Sequence, residues 1–360
     1  MNSYYYNVDD DIALFDGWIY LIVGGRNTGK TYSALKSCLI NDRRFVFIKR
    51  TIEDVDLLCA GSGRIGSKQN EYGVDLSPFK SINRDMHTNI KAFSIKNGLG
   101  GFWHCDDEGS PSGLPIGYLI SLSAVTKFKG FDLSDCDWMI FDEFIPQPWD
   151  RVNRKEGEQL LDLYKTVSRD REHRGKEPLK IICLANATSI SNPVTNILEV
   201  TDIMADMQVH DISMHMDEER GIFIHIIKEN EEFRKKERAS QIYKAMGNTA
   251  WGRVAFGNEF AYNDFSNIGR ISLKGHRPVA ELIYKGKPCY IYRKEGNKYY
   301  VCNAKAPCKK TYNIDKEMDR IAFYLDLGLT IRSACIDGLC TFEKYSMYDL
   351  IVNYKKRFKI

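Results

Sequence analysis

Trp18-Ile19-Tyr20-Leu21-Ile22-Val23, followed by Gly24-Gly25-Arg26-Asn27-Thr28-Gly29-Lys30-Thr31, decides the fold of this 360-residue chain. The first six residues are an apolar run that reads as a buried β-strand, and the next eight fit the pattern G-x-x-x-x-G-K-[ST]. From Thr31 to Ile40 apolar residues recur at helical spacing, at Leu35, Cys38 and Leu39. A strand, a glycine-rich turn and a helix, in that order, predict a phosphate-binding loop. Glycines let backbone N–H groups close around phosphate oxygens, and the start of the helix adds partial positive charge. Gly24, Gly25, Arg26, Asn27, Thr28, Gly29, Lys30 and Thr31 are therefore expected to hold ATP. Lys30 is expected to reach the β- and γ-phosphates, and the Thr31 hydroxyl to hold magnesium.

Further strands are expected at Phe45 to Ile48, Tyr118 to Val125, Trp138 to Phe141 and Leu179 to Ala185. A helix is expected over Glu156 to Val167, with apolar residues at Leu160, Leu161, Tyr164 and Val167. Strands alternating with helices predict an α/β domain built on a mainly parallel, buried sheet. Leu57 to Gly113 is rich in Gly, Ser, Asn and Pro, and is expected to hold short hairpins that the pattern does not place.

Trp138-Met139-Ile140-Phe141 runs into Asp142 and Glu143. Asp142 is placed to complete the magnesium shell, and Glu143 to take a proton from an attacking water. That pair marks P-loop ATPases of the additional-strand, catalytic-glutamate (ASCE) type, rather than GTPases that position water with a glutamine. The strand Ile181 to Ala185 ends at Asn186, a candidate sensor of water and γ-phosphate. In the run Arg169 to Arg174 a guanidinium is a candidate for reaching the γ-phosphate of a neighbouring subunit. Glu143, Arg169 and Lys30 are thus the expected catalytic residues.

The series GGRNTGKT, FVFIKR, WMIFDEF, TVSRDRE and ICLANATSISNP resembles, in order and spacing, the DNA-packaging ATPases of phi-29-like small tailed phages. The resemblance is close from Ile19 to Pro193 and then fades to general layout. It implies a ring motor, a pentamer in that family, which pushes double-stranded DNA through the portal of a phage prohead using ATP and Mg2+. Such a motor works in the host cytoplasm and is attached to the prohead only transiently, so it is not expected in the mature virion. Whether a structural packaging RNA joins it stays open. By position, Arg169 matches the trans-acting arginine, Arg50 a basic residue near the nucleotide, and Lys129 a lysine in a pore-side or subunit-facing loop, which makes Lys129 a candidate DNA contact. Similar motors carry a shrunken ribonuclease-H-like domain behind a short connector.

The rest of the chain suits that layout. Expected domains are an ATPase domain at 1–205, a connector at 206–262, and a small basic α+β domain at 263–360, ribonuclease-H-like and without nuclease activity. Hairpin signals span Val279 to Asn303, and helical patterns follow at Ile314 to Asp326 and Tyr345 to Tyr354. From Gly269 to Ile360 there are 19 Lys and Arg against 9 Asp and Glu, which leaves 32 basic and 39 acidic residues for the remainder. A basic last quarter on an acidic body points to a polyanionic partner, with Lys309, Lys310, Lys355, Lys356 and Arg357 as candidate DNA contacts. Glu281 is the single carboxylate inside the first strand of that domain, too few for two-metal cleavage. Two alternatives remain at this stage: a full terminase large subunit that also cuts DNA, and a DNA-binding switch that uses ATP only to set its shape. The cysteine spacings are not those of zinc knuckles, so free thiols are expected. The apolar runs fall short of the ~18 residues that span a bilayer, and the first residues carry no export pattern, so no membrane association is expected.

Overall fold

The computed structural model describes residues 5–62, 76–128, 130–147, 149–228, 231–249, 252, 260 and 263–360. Two compact units emerge. One comprises residues 1–198 and 210–262, the other 199–209 and 263–360.

The larger unit is a mixed α/β fold on a nine-stranded sheet. Its strands are β1 (Ile19–Val23), β2 (Phe45–Lys49), β3 (Ile90–Lys96), β4 (Leu99–Cys105), β5 (Pro111–Ser121), β6 (Trp138–Asp142), β7 (Lys180–Ala185), β8 (Met214–Asp217) and β9 (Ile222–Ile226). They lie in the order β3-β4-β5-β2-β6-β7-β1-β9-β8. The run from β5 to β9 is parallel, and antiparallel strands finish both edges. All five residues of β1 are buried, as its unbroken apolar run requires of a strand covered on both faces. Phe45 and Phe47 on β2 pack with Phe79 and Phe102, and the Phe45 ring lies over Gly117 of β5, where an added Cβ would come within 2.5 Å of it. Only glycine admits that approach.

The helices follow the sequence closely near the phosphate loop and less so elsewhere. They include α1 (Val8–Leu14), α2 (Lys30–Ile40), α3 (Ile52–Cys59), α4 (Lys80–Met86) and α5 (Glu156–Ser168). The stretch from Leu57 to Gly113, expected to hold short hairpins, contains the end of α3, all of α4 and the β3–β4 hairpin, while the strand expected to run to Val125 stops at Ser121 and tightens into a 3₁₀ helix, Leu122–Phe128.

The segment expected to be a connector does more than connect. Its β8–β9 hairpin extends the large sheet, because Ile222, Phe223, Ile224 and Ile226 are buried beside β1. The helix Thr201–Val209, which straddles the expected boundary between ATPase domain and connector, belongs instead to the smaller unit, where the Asp202 carboxylate accepts both the N–H and the hydroxyl of Ser346 at 2.8 Å.

That smaller unit carries a five-stranded sheet of β10 (Arg277–Tyr284), β11 (Lys287–Lys294), β12 (Lys298–Cys302), β13 (Thr311–Asn313) and β14 (Cys340–Phe342). Its order is β13-β10-β11-β12-β14, with antiparallel hairpins inside and a parallel strand at each edge. Lys285 and Gly286 both take positive φ, as a two-residue hairpin turn demands. Leu282, Ile291, Val301, Phe323, Ile331, Phe342 and Tyr354 form its core. No helix among the described residues is long and apolar enough to cross a membrane.

Candidate functional site

Parallel register brings the chemistry together. Val23 of β1 is level with Ala185 of β7, and Leu184 with Asp142 of β6. The carboxyl ends of three neighbouring strands therefore open onto one edge of the sheet, where loops of parallel α/β folds gather ligand groups. A concavity of about 420 Å³ lies there, lined by Arg26 to Tyr32, Asp142, Glu143, Leu184, Ala185 and Asn186.

The loop conformation follows from its residue types. Gly29 caps α2 at φ +86°, a left-handed value at which a side chain would be strained, and Asn27 takes φ +61°. Lys30 is 8% exposed. Its ammonium donates to the carbonyls of Gly24 (3.1 Å) and Gly25 (2.7 Å) and to the Thr28 hydroxyl (3.1 Å), and lies 3.5 Å from Asn186 Oδ1. Burial lowers its pKa from 10.5 to about 8, with the Asp142 charge opposing the shift. A cation that desolvation disfavours, at the floor of an open concavity, is a site prepared for an anion.

The Thr31 hydroxyl donates to Asp142 Oδ1 at 2.8 Å. The other oxygen, Oδ2, accepts from Lys49 Nζ at 2.8 Å, and the same ammonium lies 3.4 Å from Glu143 Oε2. Burial works against the charge of Lys49, but the two carboxylates outweigh it and its pKa is raised. Lys49 was not singled out in the sequence. Its signal is positional, since Ile48 pairs with Phe141 and the next residue on β2 must lie beside Asp142.

Glu143 has φ +62°, a conformation that costs a non-glycine residue ~1–3 kcal/mol. Its carbonyl accepts from Arg50 Nη2 at 2.8 Å, and the next N–H, of Phe144, donates to the Leu184 carbonyl at 3.1 Å. The side chain is 60% exposed, over the concavity.

Other expected site residues lie elsewhere. Arg50, expected near the nucleotide, does not line the concavity. Its guanidinium is bound to the buried carboxylate of Glu156 at 2.8 Å and faces Asp150 at 3.6 Å. Arg50 follows β2 in a bend, and its guanidinium turns to the Glu143 carbonyl and to Glu156, whereas Lys49, the last residue of the strand, meets Asp142. Arg169 also stands apart from the concavity: it donates to the carbonyls of Gly130 and Phe131 at 3.0 and 2.7 Å and faces Asp132 at 3.6 Å. Arg171 is buried and bonds Glu177, Cys136 and Asp137, so it serves the fold, whereas Arg174 is exposed. Lys129 lies outside the described residues. In the smaller unit Lys310 pairs with Asp326 and Arg357 with Asp349, so two of the five candidate DNA contacts in that unit have their charge countered within the chain. Lys309 is exposed, and Lys355 and Lys356 line a second concavity.

Comparison with known proteins bears on the family and the fold. The family described as "Podovirus DNA encapsidation protein (Gp16)" matches residues 112–323. The DNA packaging protein of Bacillus phage B103 is 24% identical over 280 residues, covering 76% of this chain and 73% of the relative. That of Bacillus phage phi29 is 23% identical over 292 residues, covering 79% and 74%. The bacteriophage Phi-29 viral genome packaging motor assembly superposes with a TM-score of 0.65 at 18% identity, over 99% of this chain and 100% of that one. The Phi-28 gp11 DNA packaging motor does so with 0.60 at 16% identity, over 99% and 98%. At such identities these two likenesses speak for the fold.

Proposed function

From the premise that the chain belongs to the podovirus DNA encapsidation protein (Gp16) family, we propose that it is an ATP-hydrolysing motor that drives double-stranded viral DNA into a prohead. The observation that carries this reading is the convergence of Lys30, Thr31, Asp142, Glu143 and Asn186 on one concavity. Each has a role there. The phosphate loop and the buried Lys30 bind the β- and γ-phosphates. Thr31 and Asp142, already 2.8 Å apart, supply the hard oxygens that suit Mg2+. When bound, that ion offsets phosphate charge and orients the leaving group. Glu143 takes the proton of the attacking water, Asn186 holds water and γ-phosphate in register, and Lys49 positions the Glu143 carboxylate against Asp142. The position of β7 between the phosphate-loop strand β1 and the carboxylate strand β6 supports assignment to the ASCE class of P-loop ATPases.

In this reading Arg169 completes the site of a neighbouring copy in a ring, leaving its contacts with the carbonyls of Gly130 and Phe131. The ring works in the host cytoplasm and docks transiently on the portal. The smaller unit, read as a reduced ribonuclease-H-like domain, holds nucleic acid or portal and does not cut. Glu281 supports that, since its two oxygens accept from Tyr290 and Thr311 hydroxyls, each at 3.0 Å. The test is hydrolysis of ATP with and without duplex DNA by the parent and by Glu143→Gln. The variant is expected to bind ATP like the parent and to turn over ~10²–10⁴ times more slowly. Equal turnover would remove Glu143 from the role of base.

A further inference from the structure

Residues Tyr6 to Asp11 strap the phosphate loop from outside the concavity, whose lining includes none of them. The N–H of Tyr6 donates to the Thr28 carbonyl at 3.0 Å, and that of Val8 to the Ser33 hydroxyl at 2.8 Å, so two rungs straddle Lys30. Behind these rungs runs one buried polar chain. Asp11, in α1, is 3% exposed. Its carboxylate accepts from the Tyr6 hydroxyl at 2.7 Å and from His225 Nδ1, which lies 2.9 and 3.0 Å from the two oxygens. His225 is on β9, level with Ile22 of β1, the strand that leads into the loop. Burial, and after it the Asp11 charge, push the pKa of the Tyr6 hydroxyl well up, so that group remains a donor. Loss of either donor would leave a buried carboxylate short of a partner.

Tying down a chain end is common and need serve only stability. Here the tie ends on a peptide that matters for phosphate. The Thr28 carbonyl belongs to the Thr28–Gly29 peptide, and in a planar trans peptide C=O and N–H point opposite ways. With the carbonyl held by Tyr6, the Gly29 N–H is turned away from the strap. Gly29, at φ +86°, has no side chain to oppose a flip of that peptide, so a contact from outside the loop must fix it. Thr28 is held a second time through its hydroxyl, which donates to the Gly25 carbonyl at 3.0 Å and accepts from Lys30 Nζ at 3.1 Å. A phosphate that draws the Lys30 ammonium to itself competes with that contact, whereas the Tyr6 rung does not involve the ammonium at all. We propose that Tyr6, Asp11 and His225 are positioning residues for nucleotide binding: through the Tyr6 N–H they hold the Thr28–Gly29 peptide with its own N–H presented to phosphate. They act through the loop and touch no part of the substrate. The inference rests on the reading of the first concavity as a nucleotide site and adds to it.

The experiment uses the full chain and two ligands, ATP and inorganic tripolyphosphate, titrated by calorimetry into the parent, Tyr6→Phe, His225→Leu and His225→Asn. Tyr6→Phe keeps the ring and the backbone N–H and removes only the hydroxyl. It is expected to weaken both ligands alike, by roughly tenfold, the worth of one hydrogen bond to a charged group. KM for ATP should rise in parallel while kcat at saturation stays within about twofold, because binding common to ground and transition states is what is lost. His225→Leu should behave in the same way. His225→Asn sets an amide nitrogen as far from Cβ as Nδ1 is, and should restore affinity to near that of the parent. A lower melting temperature with both affinities unchanged would reduce the chain to a prop for the fold and overturn the proposal. So would a loss confined to ATP, which would mean contact with the nucleoside, or an equal loss in His225→Leu and His225→Asn. If His225→Leu does not fold, Tyr6→Phe and His225→Asn still decide. A parent that binds neither ligand would overturn the nucleotide reading together with this inference, whereas a parent that binds both, with Tyr6→Phe binding as tightly, would overturn this inference alone.

Discussion

Raising the pH should loosen nucleotide binding long before the fold is threatened, and the cause is Lys30. Burial holds its ammonium at a pKa of about 8, against an ordinary 10.5, and its nearest acceptors are two carbonyls and a hydroxyl. Between those two values the folded, ligand-free protein binds fewer protons at this group than the unfolded chain does. Its contribution to stability therefore rises with pH through that window. Nucleotide binding runs the other way. Phosphates placed against the ammonium restore its proton, so affinity follows the protonated fraction. From about pH 7.5 to about pH 9.5 that fraction falls roughly 25-fold, equivalent to about 1.9 kcal/mol of binding. The assay is a titration with a fluorescent ATP analogue in the Glu143→Gln background, where turnover does not intrude. Phosphate ionisation is complete by pH 8 and adds no slope of its own. Lys30→Arg is the internal control: its guanidinium does not titrate in this range, so its affinity, however reduced, should be flat. A parent affinity constant within twofold over the whole range would refute the reasoning.

Lys49→Ala should lower kcat by about tenfold or more with little change in KM, because it releases the Glu143 carboxylate while leaving the phosphate contacts in place; a rise in KM alone would count against a positioning role. Arg50→Ala leaves Glu156, 2% exposed, without its partner and should cost ~3–5 kcal/mol by urea melting, with Glu156→Gln much milder. An Arg50→Ala protein as stable as the parent would show that the pair is not needed. Mixing Arg169→Ala chains with Glu143→Gln chains should restore part of the ATPase activity, since some interfaces then combine an intact Glu143 with a neighbour's intact Arg169. Mixed assemblies with no recovery at any ratio would exclude action across subunits, and Arg174, 66% exposed, would be tested next.

What could be read from the sequence was what depends on neighbours in the chain. The phosphate loop is eight consecutive residues between a strand and a helix, and Asp142-Glu143 terminates an apolar strand, so both could be named before any fold existed. The choice between Lys49 and Arg50 is of another kind. Which cation meets Asp142 depends on where β2 ends, at Lys49, and on the pairing of Ile48 with Phe141, a partner 93 residues away. The β3–β4 hairpin escaped for a local reason: Gly98, Gly100 and Gly101 dilute an apolar alternation whose strength lies in Phe93, Phe102 and Trp103. Charge counting found the basic unit but could not weigh its members, because Lys310 and Arg357 lose their surplus to acids 16 and 8 residues distant. Arg332 shows the converse. It stands 23 residues before Lys355, outside the lysine-rich stretch, yet lines the same hollow. Groups carried by consecutive residues can be read along the chain; groups brought together by converging side chains exist only after the chain has folded.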